Sequence, residues 1–170
     1  MAHAKNVRSW VVRLRPNAGW ALRIAALAHD IERAMPARKV KRHDFADYDL
    51  FKKAHARNSA RIAAEILNRQ PVTAAFKARV AFLIQHHEFG YPQDDELAAL
   101  RDADAISFFE VNLPFYAQRH SQEETFFRMC WGSKRLSRQA RKVVGRFNYE
   151  DDRLNVLLKR CLGLKASVTA

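Results

Sequence analysis

The sequence predicts an all-α fold, and three observations carry that expectation. Apolar residues recur at helical spacing in most segments, Gly and Pro number only 5 each, and 48% hydrophobic residues in 170 can bury one compact core. Val7, Val11 and Leu14 mark a first helix that Pro16-Asn17 stops. A second, over about 18–34, is apolar on nearly every face until its last turn and is therefore expected to be central. Pro36 and a cluster of charges then read as an exposed loop. A long helix follows over 48–68 with Ile62, Ile66 and Leu67 as its stripe, ended by Gln70-Pro71. Thr73 is placed to cap the next, over 74–87. Beyond the loop EFGYPQDD, a helix over 95–112 meets Pro114, which should kink or interrupt it. Two short basic, aromatic helices, a last amphipathic helix over 152–162 and a fraying tail GLKASVTA complete the chain.

Charge narrows the classes of partner. Thirty Lys plus Arg against 18 Asp plus Glu leave a net charge of +12, which favours phosphates: nucleotides, nucleic acid or an anionic surface. The two cysteines, Cys130 and Cys161, cannot form a disulfide framework and suit a reducing compartment. The opening MAHAKNVRSW lacks the apolar stretch of a signal peptide, and the longest apolar run, 24–28, is far short of the roughly 20 residues a bilayer requires. The expectation is a cytoplasmic protein with no membrane partner.

The histidines stand in unusual places. His29 follows Leu22, Ala25 and Ala26 at i, i+3, i+4, i+7, with Asp30 beside it. A carboxylate on such a helix is costly unless it is paired or bound to a metal. His55 falls on the line of Ser59, Ile62 and Ile66, and His87 on that of Phe76, Val80 and Leu83, with His86 adjacent. Asp104 falls on the line of Leu97, Leu100, Phe108 and Val111. One inward histidine is ordinarily a hydrogen-bonded core residue, and Asp30 can simply pair with Arg33 one turn on. Four helices each directing an imidazole or carboxylate inward point instead to a metal site in a bundle core.

His3, then His29-Asp30, then Asp104 resembles the H…HD…D signature of the HD superfamily of metal-dependent phosphohydrolases, in the contexts AALAHDIER and ADAISFF. His55 in HARNSARIAAEIL and the pair in QHHEFGYP resemble the extra histidines of its dinuclear members. The HHE and GYP fragments, separated here only by Phe89, resemble those of the HD-GYP phosphodiesterases. The resemblance implies a compact HD-type helical domain over 1–113, with 114–170 as a basic helical extension packed on it. By position it assigns His3, His29, Asp30 and Asp104 to one metal, Asp102 being the rival of Asp104. Asp30 would bridge to a second metal on His55, His86 and His87. One or two divalent ions per chain are expected, and imidazole and carboxylate ligands suit Fe, Mn, Zn, Co or Ni alike.

The expected activity is hydrolysis of a small nucleotide-like phosphate ester, with Asp30 and Arg33 as the catalytic pair and Arg33 and Lys52 binding phosphate. Glu88 is either an orienting partner of a ligand histidine or a surface acid. Trp131 and Phe127 can stack a base or pack the core. His43 and His120 read as solvated. The run Lys134, Arg135, Arg138, Arg141, Lys142 and Arg146 can grip nucleic acid or be a solvated face. Two other functions use the same residues: an HD-type mixed-valent di-iron oxygenase, and a non-enzymatic basic protein that binds nucleic acid.

Overall fold

A computed structural model describes residues 2–90 and 93–164, and among these every regular element is helical. The tail beyond Leu164, and Tyr91-Pro92 of the GYP fragment, lie outside the described residues. The helices are α1 Ala2–Leu14, α2 Trp20–Ala28, α3 Tyr48–Asn68, α4 Ala74–His86, α5 Asp95–Ser107, α6 Leu113–Ala117, α7 Gln122–Ser133, α8 Arg138–Val144 and α9 Asp152–Leu162. Short polar side chains start most of them. Asp47, Thr73, Asp94, Ser121, Ser137 and Asp151 each accept a backbone N–H from the first turn that follows. Gly163, at φ 65°, closes α9 in the left-handed conformation.

Two buried clusters fill the interior. Val7, Val11, Leu22, Ala26, Val80, Leu83, Ile84, Leu97 and Leu100 form one among α1, α2, α4 and α5. Ile106, Phe109, Leu113, Met129, Leu157 and Leu158 form the other among the end of α5, α6, α7 and α9. Trp10 and Leu14 of α1 pack against both, so α1 ties the two together.

Three expectations change. The second helix stops at Ala28, and His29-Asp30 form a turn leading into a single 3₁₀ turn, Ile31–Ala34. The apolar pattern runs on, but Glu32 is buried inside that turn and fixes it by hydrogen bonds to α3 and to the Val40 N–H. Ile66 is 41% exposed and falls outside the α3 stripe. The charged loop after Pro36 carries two further 3₁₀ turns, Pro36–Arg38 and Arg42–Asp44.

Around Pro114 the α pattern is interrupted, one of the two outcomes expected there. Upstream of it, Phe108–Asn112 form a π-helical turn in which the Leu113 N–H reaches Phe108 C=O five residues back. The next such bond would run from residue 114 to Phe109 C=O, and proline has no N–H to give. The Tyr149 hydroxyl supplies the missing donor at 2.9 Å, reaching across from the segment before α9. Burial pushes the Tyr149 phenol well above its ordinary value of 10.0, so it is protonated and able to donate. Tyr149→Phe should therefore orphan a carbonyl and cost about 1–3 kcal/mol, a loss measurable by urea denaturation, whereas Tyr116→Phe, whose hydroxyl bonds exposed Glu124, should cost less.

Candidate metal centre

The His29-Asp30 turn at the end of α2, the end of α4, the first turn of α1 and the middle of α5 converge on one point. His29 terminates α2, and its Nδ1–H donates to Ala26 C=O at 2.9 Å. His87 terminates α4 in the same way, Nδ1–H donating to Ile84 C=O at 2.6 Å. Spending Nδ1–H on a carbonyl fixes the tautomer and leaves Nε2 as a lone pair. Both rings are 0% exposed, and neither Nε2 has a hydrogen-bond partner. Glu88 Oε1 lies 3.3 Å from that of His87, out of hydrogen-bonding line. The two rings meet edge to face at 5.2 Å, and His3 meets His29 at 5.3 Å.

His3 is held by Ser107, whose Oγ lies 2.8 Å from Nδ1 and donates in turn to the His3 carbonyl. Its Nε2 faces Asp104 Oδ1 at 3.1 Å. That oxygen is also 3.4 Å from His29 Nε2, and Asp30 Oδ1 is 3.9 Å from it. Candidate ligand atoms of His3, His29 and Asp30 lie within 4.8 Å of one another, as do those of His29, His87 and Asp104. A bare Nε2 facing a carboxylate is repelled by it, and either a proton or a metal ion between the two relieves that. Burial pulls the His29 pKa down, but Asp30 and Asp104 outweigh it and raise it to about 9. The field that draws a second proton onto this ring is the field that draws a metal ion. Donor type, count and orphaned nitrogens thus fit a divalent transition metal.

The expected second ligand set separates. His87 joins the first group, not a second one. His86 lies against Phe82, ring centroids 4.7 Å apart, and belongs to neither group of candidate ligands. His55 stands between two acids, Nε2 2.6 Å from Asp30 Oδ1 and Nδ1 2.6 Å from Glu32 Oε1, so neither nitrogen is open. Burial depresses its pKa, and the bonds to Asp30 and Glu32 reverse that and raise it. Asp102 accepts the Ser137 N–H at 2.8 Å at the start of α8, while Asp104 is the carboxylate in the cluster.

Around these donors sits a shell of charge that sequence patterning did not assemble. Glu88 is 2% exposed and contacts Lys52 Nζ, and its Oε2 lies 3.2 Å from Arg135. Arg135 also donates to Asp104 Oδ2 at 2.9 Å. Burial pushes the Glu88 and Asp104 carboxyls up, but Arg135 and their other partners hold both well below the usual carboxylate range. Asp30 pairs with Arg33 at 2.6 Å. The basic run therefore divides: Arg135 turns inward, Arg141 donates to the Ser133 and Leu162 carbonyls, and Lys134, Arg138, Lys142 and Arg146 are exposed.

A cavity of about 380 Å³ opens beside the cluster. His3, Asp30 and Asp104 form its floor, Arg33, Lys52 and Arg135 stand at its sides, and Phe108, Phe115, Tyr116 and Trp131 supply aromatic wall. Phe127 is 66% exposed and is absent from that wall. His120 and His43 are both exposed, as expected, and His120 also lines the cavity and stacks on Tyr116 at 3.8 Å. No helix of the described residues is long and apolar enough to cross a membrane.

A family model described as Domain of unknown function (DUF4202) matches residues 1–157, a span that includes every residue of the cluster and its cavity. No curated protein and no solved structure matches the chain.

Removing one member of a buried ion network strands the others. Glu88→Gln should cost about 3 kcal/mol, or a fall in Tm of roughly 6–12 °C. The wild-type carboxyl is held below its ordinary value of 4.5, so its contribution is complete above that pH and fades as pH falls further. The difference in Tm between wild type and variant should accordingly be constant from pH 5 to 7 and narrow toward pH 3.

Proposed function

We propose that this chain, which belongs to the DUF4202 family, is a metal-dependent phosphohydrolase of the HD type, acting on a small nucleotide-like phosphate ester. The observation that carries the reading is the pair of buried histidines, His29 and His87, whose Nε2 atoms make no hydrogen bond and face the carboxylates of Asp104 and Glu88 at 3.4 and 3.3 Å. A structural pair of core histidines would be expected to spend both nitrogens, as His55 does. His3, His29, Asp30, His87 and Asp104 would hold one ion. The engagement of both His55 nitrogens, with His86 outside the group, favours one ion over two.

Such an ion, when bound, acidifies water and polarises a phosphoryl oxygen. The chain's own residues do the rest. Arg33 spends Nε on Asp30 and keeps its two terminal amino groups for phosphoryl oxygens. It is half exposed at the cavity, whereas Lys52 is buried against Glu88 and contributes positive field more than a free donor. The aromatic wall of Phe108, Tyr116 and Trp131 displaces water from the reacting phosphate and strengthens each of these interactions. Arg135 keeps Asp104 ionised and aimed at the imidazoles.

Two measurements test the reading. Elemental analysis of the purified protein should give about one transition-metal ion per chain. His29→Ala and His87→Ala should fall to background, and His86→Ala should keep its metal. Full metal content in the His29, His87 double variant would sink the site assignment. Against a panel of phosphomonoesters, phosphodiesters and nucleotides, Arg33→Ala should retain metal and lose about 1.5–3 kcal/mol in kcat/KM, or roughly 10- to 150-fold.

A further inference from the structure

Three of the five Lys and Arg side chains lining the cavity are neutralised where they stand: Arg33 by Asp30, Lys52 by Glu88, Arg135 by Asp104 and Glu88. The other two are not. Arg119, just after α6, and Arg128, on α7, line the same cavity, and among the described residues no carboxylate lies within ion-pair distance of either. Glu124, one turn before Arg128, accepts the Tyr116 hydroxyl at 2.7 Å instead.

Arg128 is nonetheless firmly placed. Its guanidinium carbon lies 4.7 Å from the ring centroid of Tyr48, 5.5 Å from Trp131, 5.7 Å from Tyr116 and 5.9 Å from Phe108. Rings from α3, α6, α7 and the π-helical turn therefore surround the group. Cation–π contacts spend no N–H donor on an acceptor, so the planar fork that matches a phosphate edge is left for a ligand. The cavity of about 380 Å³ is within the size range for whole small-molecule ligands. Phe115, 61% exposed, adds an apolar ring to the same wall.

We propose that the cavity takes a doubly phosphorylated ligand: one phosphate at the metal cluster, the second on Arg128 and Arg119, and a planar ring against the aromatic wall. This rests on the metal-centre reading for the first phosphate. The second phosphate is assigned by the two uncompensated arginines alone.

Calorimetric titration of the full chain with adenosine 5′-monophosphate and adenosine 3′,5′-bisphosphate tests it. The bisphosphate should bind at least about 10-fold more tightly, with the steeper salt dependence of the two. R119Q and R128Q should each shrink that ratio, and the double variant should bring it close to one. R128K, which keeps the charge and loses the planar fork, should fall between. Arg119 is exposed, so R119Q reports on binding even where R128Q melts early, and metal content serves as the check on each fold. Equal affinity for the two nucleotides, or a ratio preserved in the double variant, overturns the inference. Failure of both to bind overturns it also, and the metal content of that sample then shows whether the metal-centre reading falls with it.

Discussion

Four carboxylates, those of Asp30, Glu32, Glu88 and Asp104, are drawn into the interior near one point, and each must be met there by positive charge or donors. Left alone, any of them would cost several kcal/mol. The compensation determines what packs where. Lys52 and His55 bring α3 to the cluster, Arg135 brings the segment after α7, and His3 brings the first turn of α1. The basic C-terminal third is bound to the rest of the molecule by this demand as well as by the apolar contacts around Phe109 and Leu158. Ion networks of this kind seldom add stability over a well-packed apolar core. Their presence here makes chemical sense as the scaffold of a site, where stability is given up for a fixed field.

The same economy appears in the histidines. His29 and His87 occupy equivalent positions, the residue just past the last turn of a helix, where unpaired carbonyls are available to anchor a ring nitrogen. Helix termination and ring orientation are one event in each case. At α2 the anchored ring acts with the buried Glu32, which fixes the 3₁₀ turn that follows, to end the helix at Ala28 although its apolar pattern continues.

That coupling also marks the limit of what the sequence disclosed. The periodic segments, including the bounds of α3 and α9 and the cap at Thr73, follow from local chemistry and were legible. So were the inward faces carrying His29 and Asp104, because both lie on long apolar stripes. The face carrying His87 was legible too, on the line of Phe76, Val80 and Leu83, and the structure buries that residue. What the pattern did not exclude was His86, whose side chain points about 100° away from its neighbour's on the same helix. Glu32, Glu88 and Arg135 were illegible for a different reason. An acid beside a histidine, or one arginine in a run of six basic residues, carries no local mark of burial, and its partners arrive from helices distant in sequence. The acid that follows each helix-terminating histidine, Asp30 after His29 and Glu88 after His87, was a signal of position only and left a surface role open.

The π-helical turn Phe108–Asn112 has a consequence for how the cavity is indexed. It joins α5, which carries Asp104, to α6, which carries Phe115 and Tyr116, in one continuous rod. An extra residue in one turn resets the rotational phase of everything after it, here by about the 100° that one residue subtends. The floor of the cavity and its aromatic wall therefore face the same way only because the helix slips once between them. Chain length between Asp104 and Phe115 is consequently a setting of the site, like the spacing of teeth between two gears. A single-residue deletion there would leave both groups of side chains intact, and turn one away from the other.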